Sequence, residues 1–420
     1  MLFRKEIQRR GSAYRATKRR KVQSSSLNLA LLNIRSYNSL KETEMDRWLF
    51  FADTPLQMYN AALTASALIE QGDHASLLVY DQFAQASDLA IVYEKIGVFD
   101  EIEVVPHHPI HEYRQQLIWQ IGSRFGKKNL AIRMILDSSY DHLAIACPTP
   151  ATFEVFQRLL ARNKKLRVSF YEDGTGSYNG AVFKTVYSFD EPPLIDENEP
   201  PRIHQLRAII NALRLKRFLY RPERLFLKNP SLLAPGIDIS TCQINPEQNV
   251  LDKLEAAFAK EPLSLPPAKN IIVLDTARYQ EPNPETEAID HLLEQLIELE
   301  ISPFLRKHPR SVTDSVYTNS CQDLSGGFWE LFCHKEAAIL SDALLISIGS
   351  TAQLSPIIEG NAKPFLMFLY KLAFSETDSL FKTYEYTVCI AQDCYGVDSD
   401  RILIPKSLEE AKDQIRAFIS

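Results

Sequence analysis

The sequence lacks the features that mark membrane proteins and small metal- or disulfide-stabilised proteins. It contains no run of about 18 uncharged apolar residues, so we expect no transmembrane helix. Its six cysteines form no C-x-x-C pair, which argues against a zinc site and against a disulfide scaffold. Scattered cysteines of this kind are typical of free thiols in a reducing compartment. We therefore expect a soluble protein of the cytoplasm.

Two signatures of common catalytic folds are also missing. The G-x-x-x-x-G-K pattern of phosphate-binding loops does not occur, and neither does the G-x-S-x-G elbow of hydrolases. What remains is an ordinary globular composition, with 45% hydrophobic and 24% charged residues. A length of 420 residues favours two domains of roughly 150 to 200 residues each.

The charge is distributed unevenly along the chain. Residues 1–44 carry eleven Lys or Arg against three Glu, a net of +8, which leaves −14 for the other residues of a chain whose net charge is −6. This basic arm is either a disordered tail, or the product of a gene start placed upstream of Met45, or a segment that contacts anionic lipid or nucleic acid, or a targeting segment. The acidic remainder argues against nucleic-acid binding.

From Met45 onward, short apolar runs alternate with amphipathic helical segments, which predicts parallel sheets covered by helices on both faces. Strands are predicted in the first half at 47–53, 75–80, 101–105, 142–147 and 166–171. The alternation is lost between about 181 and 265, where a connecting basic helical stretch is predicted at 203–228. It resumes with strands predicted at 270–275, 301–309, 343–350 and 363–370.

Helices are predicted between these strands and at the end of the chain. Thr54 as a cap, Pro55 in the first turn and Gly72 at the exit delimit the helix at 54–72. The others are predicted at 84–96, 111–126, 150–163, 286–299, 329–338, 351–359, 371–382 and 407–419. A proline-rich stretch at 262–270 is predicted to be a hinge. The predicted fold is therefore α/β, with two Rossmann-like lobes, 45–265 and 266–420, that face a cleft.

In open parallel sheets, ligands bind at the carboxyl ends of the strands. One candidate there is the segment RVSFYEDGTGSYNG, in which Glu172 and Asp173 follow an apolar run. A carboxylate near a second carboxylate can have a raised pKa, which suits a general base. Gly174 lets the backbone approach a bulky ligand. The alternative is an ordinary acidic turn.

Two further strand ends, in the second half, could bind a phosphate. In FLRKHPR, the basic residues Lys307, His308 and Arg310 surround Pro309, although a solvated basic loop is the alternative. In ISIGSTAQLSPI, free backbone N–H groups and hydroxyls at a strand-to-helix junction suit an anion, although simple helix capping is the alternative. The residues concerned there are Ser347, Gly349, Ser350 and Thr351.

Taken in order, the acidic pair with glycine, the Lys-His-Pro segment and the serine turn resemble the bacterial sialyltransferases. The form EDGTGSY and the early TPLQ at 54–57 most resemble glycosyltransferase family 52, which includes lipooligosaccharide sialyltransferases. The resemblance covers about residues 47 to 370. It implies a GT-B fold and an inverting transfer of sialic acid from CMP-sialic acid to a sugar hydroxyl, without a metal or other cofactor.

The resemblance also implies roles for individual residues. Glu172 and Asp173 would supply the base and His308 would act on the phosphate, while Ser350 and Thr351 replace the two serines of related families. A further acid after the first strand of the second half would be Asp275 or Glu281. The other donor-binding candidates are Gly174, Lys307, Pro309, Arg310, Ser347 and Gly349. The only Asp-x-Asp, at 398–400, is interpreted as a solvated turn rather than a metal site.

The expected partners are a nucleotide sugar and a cell-surface glycan, of lipooligosaccharide or capsule. The family suggests a homodimer, and the basic arm could attach the protein to the inner face of the membrane. Three alternatives stay open. The donor could be another nucleotide sugar, the fold could serve as a non-catalytic scaffold, or the protein could be a nucleotide-sugar epimerase.

Overall fold

The structure is a computed structural model that describes residues 45–69, 72–83, 86–106, 129–134, 139–174, 176–178, 222–233, 237, 239–258, 265–309, 311–360, 362–396 and 399–420. The basic arm predicted at 1–44, the helix predicted at 111–126 and the predicted donor-binding Arg310 lie outside these residues.

The first lobe is built on a seven-stranded sheet in which every neighbouring pair is parallel. The order is β3-β2-β1-β4-β5-β6-β7. The strands are β1 (Arg47–Ala52), β2 (His74–Asp81), β3 (Glu101–Pro106), β4 (His142–Ile145), β5 (Arg167–Tyr171), β6 (Pro222–Leu227) and β7 (Ser240–Gln243). The strand order reverses between β1 and β4, so their carboxyl ends form the crevice where open sheets bind ligands.

The helices of this lobe are α1 (Pro55–Ile69), α2 (Ala86–Ile96), α3 (Pro150–Arg162) and α4 (Gln248–Phe258). Local sequence explains where α3 begins, because Thr149 and Thr152 form a reciprocal capping box and Pro150 occupies the first turn. Alternate residues of β1 enter different cores. Trp48 and Phe50 pack on one face of the sheet, whereas Leu49 and Phe51 pack on the other.

The second lobe has a six-stranded parallel sheet in the order β10-β9-β8-β11-β12-β13. Its strands are β8 (Ile271–Leu274), β9 (Phe304–Arg306), β10 (Gln322–Asp323), β11 (Leu344–Ser347), β12 (Phe365–Phe368) and β13 (Ile402–Leu403). Its helices are α5 (Pro284–Glu298), α6 (Trp329–Lys335), α7 (Ala337–Leu340), α8 (Ser355–Gly360), α9 (Tyr370–Ala373), α10 (Ser379–Tyr395) and α11 (Leu408–Ile419). One core cluster runs through this sheet, from Leu265 to Phe418.

The two lobes pack directly on each other through α6. Leu331 of α6 is buried in a core cluster of the first lobe. Beside it, the rings of Phe328 and Phe258 meet edge to face with centroids 4.6 Å apart. The strands predicted before residue 181 and after residue 265 are confirmed, with ends that differ by a few residues. The division of the chain at residues 265 and 266 stays a prediction.

From residue 222 onward, the prediction that the alternation stops is wrong, because β6, β7 and α4 continue it. The helix predicted at 203–228 is wrong at its end, where β6 lies, and residues 181–221 lie outside the described residues. β6 begins with Pro222, and β7 is a polar edge strand whose residues are largely exposed. An edge strand needs no apolar run, so the hydrophobic signal is missing there. The single helix predicted at 371–382 is also wrong, because α9 ends at Ala373 and α10 begins only at Ser379 and extends to Tyr395. Within the described residues, no helix is long and apolar enough to cross a membrane.

Candidate active site

Asp173 lies just beyond β5 and is partly exposed. Its Oδ1 accepts a hydrogen bond of 3.0 Å from Nε2 of Gln57, and its backbone N–H donates to Ser177 Oγ at 2.7 Å. Burial raises the pKa of the Asp173 carboxyl, and the negative charge of Glu172 adds to this effect. Hydrogen bonds from Gln57 and Cys147 act against it by stabilising the carboxylate. The group is therefore a carboxylate that can accept a proton.

Gln57 is the residue that places this carboxylate, and the sequence had assigned it no role. It is buried in the first turn of α1, where its Oε1 accepts from the Asp53 N–H at 2.9 Å. Its Nε2 lies 3.8 Å from Cys147 Sγ, after β4. One amide thus joins the loops that follow β1, β4 and β5. In the sequence, Gln57 was notable only as part of the TPLQ segment that resembles glycosyltransferase family 52.

Glu172 has a different environment from its neighbour. Its side chain is 1% exposed, and its Oε2 accepts hydrogen bonds from the Tyr178 hydroxyl and, at 2.9 Å, from the Lys228 N–H. Its backbone carbonyl accepts from Asn60 Nδ2 at 2.9 Å. These contacts leave Glu172 enclosed, so the acid that can meet a substrate in this arrangement is Asp173.

Gly174 follows the acidic pair with a φ of 67°, a conformation that favours glycine. A Cβ at this position would touch the side chain of Leu56 at 3.4 Å. Glycine is therefore needed for the backbone conformation more than for space. It lets the chain turn at once, so that Ser177 can reach back to the Asp173 N–H.

The two acids predicted as alternative bases lie in very different environments. Asp275 is buried after β8, and its Oδ2 pairs with Nε of Arg278 at 2.6 Å. Arg278 in turn forms two hydrogen bonds to Asp290, at 3.0 and 2.8 Å. Burial raises the pKa of the Asp275 carboxyl, although Arg278 opposes this. Glu281, by contrast, is exposed.

The basic loop after β9 is held to its neighbours by its first residues. Arg306 donates to the carbonyls of Leu324 and Gly327, at 2.8 and 2.9 Å. Lys307 donates its backbone N–H to Ser325 Oγ at 2.9 Å and pairs with Asp314 through Nζ. His308 is half-buried and Pro309 is exposed. The loop therefore places His308 at the carboxyl edge of the second sheet.

The serine turn after β11 has an internal framework. Ser347 is buried and donates to Gln353 Oε1 at 2.6 Å, and it accepts from the Ser350 N–H at 2.7 Å. Gln353 also donates to the carbonyls of Leu345 and Met367. Ser350 is half-buried, caps the turn at Thr351–Leu354 and leaves Thr351 exposed. Ser347 is thus a structural residue of the turn.

Gly349 is in this turn for a steric reason. A Cβ at this position would overlap the ring of Tyr384, which belongs to α10. The Tyr384 hydroxyl donates to Glu285, and Glu285 also accepts from Thr276 at 2.8 Å. The loop after β8, the start of α5 and α10 therefore meet over the serine turn.

Two further observations concern where a ligand could bind. The residues that the structure describes contain no group of three or more His, Cys, Asp or Glu that could hold a metal ion. An open cavity of about 850 Å³ is lined by residues such as Lys269, Phe365 and Phe418. These lie at the amino ends of the second sheet's strands or on α11, so the cavity is remote from the strand ends described above.

Comparison with known proteins places the fold. No model of a protein family matches the sequence, and no curated protein matches it. Among solved structures, the chain is similar to the calicheamicin glycosyltransferase CalG4, with 13% identity, 90% of each chain covered and a TM-score of 0.52. It is also similar to the glycosyltransferase of kitacinnamycin, with 10% identity, coverage of 90% and 91%, and a TM-score of 0.52. Together with the two parallel-sheet lobes, these similarities show a GT-B fold.

Proposed function

We propose that the protein is an inverting glycosyltransferase that moves sialic acid from CMP-sialic acid to a sugar hydroxyl, without a metal. The observation that supports this most is the GT-B fold with a partly exposed carboxylate, Asp173, fixed by Gln57 at the carboxyl edge of the first sheet. In this proposal, Asp173 takes the proton of the acceptor hydroxyl as its oxygen attacks the anomeric carbon of the donor.

The bond from the anomeric carbon to the phosphate oxygen breaks in the same step, and CMP leaves with the bonding electrons. The transition state is oxocarbenium-like, so negative charge develops on the phosphate. His308, the neighbouring Lys307 and the serine turn with Ser350 and Thr351 lie at the carboxyl edge of the second sheet, where they would stabilise that charge. Glu172 would position the acidic loop rather than accept a proton.

The acceptor in this proposal is a cell-surface glycan, of lipooligosaccharide or capsule. The enzyme would act at the cytoplasmic face of the membrane, with residues 1–44 as a basic contact, and it would form a homodimer. A transferase that uses another nucleotide sugar is the second candidate, because the similar solved structures are transferases of calicheamicin and kitacinnamycin. In an epimerase or a non-catalytic scaffold, Asp173 would have no acceptor sugar from which to take a proton.

A titration of nucleotides tests the donor. We expect the purified protein to bind CMP more tightly than UMP, UDP or GDP by calorimetry, in the presence of EDTA. His308→Ala should weaken CMP binding by about tenfold to a hundredfold, the usual effect of a lost hydrogen bond to a charged group. A preference for UDP would indicate a UDP-sugar as the donor instead of CMP-sialic acid. Dependence on added manganese would overturn the metal-free mechanism. Binding of none of these nucleotides would favour the scaffold.

The hydrogen bond from Gln57 predicts a pH effect. Gln57→Leu removes a donor that stabilises the Asp173 carboxylate, so the pKa of Asp173 should rise further. The acid limb of the kcat/KM profile should therefore move to higher pH, with a greater loss of activity at pH 6 than at pH 8. Gln82→Leu is the matched control, because Gln82 Nε2 donates to the Asp53 carbonyl rather than to Asp173. Equal shifts in both variants would contradict the role of Gln57.

A further inference from the structure

A buried ion network connects the two lobes at the carboxyl edge of the first sheet. Lys228, which follows β6, pairs with Glu359 of α8 and lies 3.6 Å from Glu172 through its Nζ and Oε1 atoms. The three side chains are 6%, 5% and 1% exposed, in that order. Lys228 and Glu172 belong to the first lobe and Glu359 to the second. The ammonium group is therefore shared by carboxylates of both lobes.

Each end of the network is attached to one part of the candidate site. Glu172 is the residue directly before Asp173. Glu359 lies on α8, and this helix begins at Ser355, immediately after the turn that Ser350 caps. Lys228 thus connects the acidic loop, which contains Glu172 and Asp173, to the helix that follows the serine turn.

Other contacts restrict the geometry of the network. The Tyr59 hydroxyl donates to Glu359 Oε2 at 3.3 Å, and Lys228 Nζ lies 4.9 Å from the centroid of the Tyr59 ring. The backbone N–H of Lys228 donates to Glu172, so the main chain and the side chain of one residue meet the same carboxylate. Buried ion pairs of this kind define a geometry more than they add stability.

From these contacts we infer that Lys228 is a positioning residue: it fixes the orientation of the two lobes and thereby the separation of Asp173 from the serine turn. The inference rests on the proposed function, since it concerns the reach of the base toward the bound donor. Lys228 itself would touch neither the donor nor the acceptor. A misplacement of about 1 Å can lower a rate by about 10²-fold, so the loss of this ion network would have a measurable effect on the rate.

The chain offers a matched control for an ion pair between the same lobes. Lys335 of α6 pairs with Glu255 of α4 at 2.5 Å, and the two side chains are 44% and 43% exposed. This pair also joins the second lobe to the first, but it is exposed and lies on helices outside the strand-end loops. If any contact between the lobes were sufficient, Lys335→Met and Lys228→Met would have the same effect.

The experiment compares Lys228→Met, Glu359→Gln and Lys335→Met with the unaltered protein. The full-length proteins are assayed for sialic acid transfer from CMP-sialic acid to water, or to an acceptor found in a glycan screen. The concentration of folded protein is taken from CMP titration. We expect kcat to fall about 10²-fold in Lys228→Met and Glu359→Gln, with the Kd for CMP unchanged. Lys335→Met should keep the original kcat.

Small-angle X-ray scattering provides a readout that does not depend on activity. We expect a larger radius of gyration in Lys228→Met and Glu359→Gln than in Lys335→Met. Glu359→Gln, which keeps the side-chain shape, serves if Lys228→Met does not fold. An unchanged kcat and radius of gyration in Glu359→Gln, or equal losses in Lys335→Met, would overturn the inference. Absence of CMP binding by the unaltered protein would instead contradict the proposed function. The scattering comparison would still test whether the ion network fixes the orientation of the two lobes.

Discussion

Asp173→Asn is expected to lower kcat by about 10²–10⁴-fold, the range that a general base contributes. Asparagine keeps the size of the side chain but cannot accept the proton of the acceptor hydroxyl. Since Asp173 belongs to the first lobe and the proposed donor site to the second, the affinity for CMP should not change. Transfer from CMP-sialic acid, measured beside a calorimetric titration with CMP, checks both halves of this expectation.

Glu172→Gln is the comparison that separates the two acids. The amide would place a donor beside groups that already donate, the Tyr178 hydroxyl and the Lys228 N–H. We expect a lower melting temperature in Glu172→Gln, whereas Asp173→Asn should not lower it, because burial makes the charged form of Asp173 costly. If Glu172→Gln lost turnover without losing stability while Asp173→Asn remained active, the assignment of the base to Asp173 would be wrong.

The choice between the two acids illustrates what the sequence could predict. The apolar run of β5 and the glycines after it indicated a strand end, and the structure confirms it. Successive side chains at the end of a strand point in opposite directions, so two adjacent acids can lie in different environments. The one-dimensional pattern does not say which, because the answer depends on Tyr178 and on Lys228, 56 residues away.

The same reason explains why Gln57, Lys228 and Glu359 were not predicted. Gln57 bonds to Asp173 across 116 residues, and Lys228 bonds to Glu359 across 131 residues. Gln57 lies at a predicted helix start, which explains its local pattern, and Lys228 lies in the stretch 181–265, where no strand was predicted. The parallel sheets were predictable because their signal is local, whereas these bonds arise only when distant strand ends meet at one edge.

Lys228→Met is expected to lower the free energy of unfolding at pH 8 by about 3–5 kcal/mol, because it leaves buried carboxylates without their cation. Lys335→Met, in the exposed pair, should change it by at most about 1 kcal/mol. Denaturant unfolding of both variants at pH 8 provides the measurement. A loss in Lys228→Met no larger than that in Lys335→Met would show that water or another group compensates the carboxylates.

The destabilisation of Lys228→Met should also depend on pH, and its sign follows from Glu359. Burial raises the pKa of Glu359 to about 7, and Lys228 works against this rise. Without Lys228 the pKa must rise further. A carboxyl whose pKa is higher in the folded state binds its proton more tightly there, so stability is present below its unfolded pKa and is lost as the pH rises through the folded pKa.

The other groups that face Glu359 set the size of this effect but not its sign. They are Glu172, Glu330, Tyr59 and, through the Glu359 carbonyl, His334. The charges of Glu172 and Glu330 raise the Glu359 pKa in the same direction as burial. Lys228→Met should therefore be closer in stability to the unaltered protein at pH 5.5 than at pH 8. The double variant Lys228→Met/Glu359→Gln should lose most of this pH dependence, because the group that titrates has been removed. A pH dependence that persists in the double variant would show that the titrating group is not Glu359.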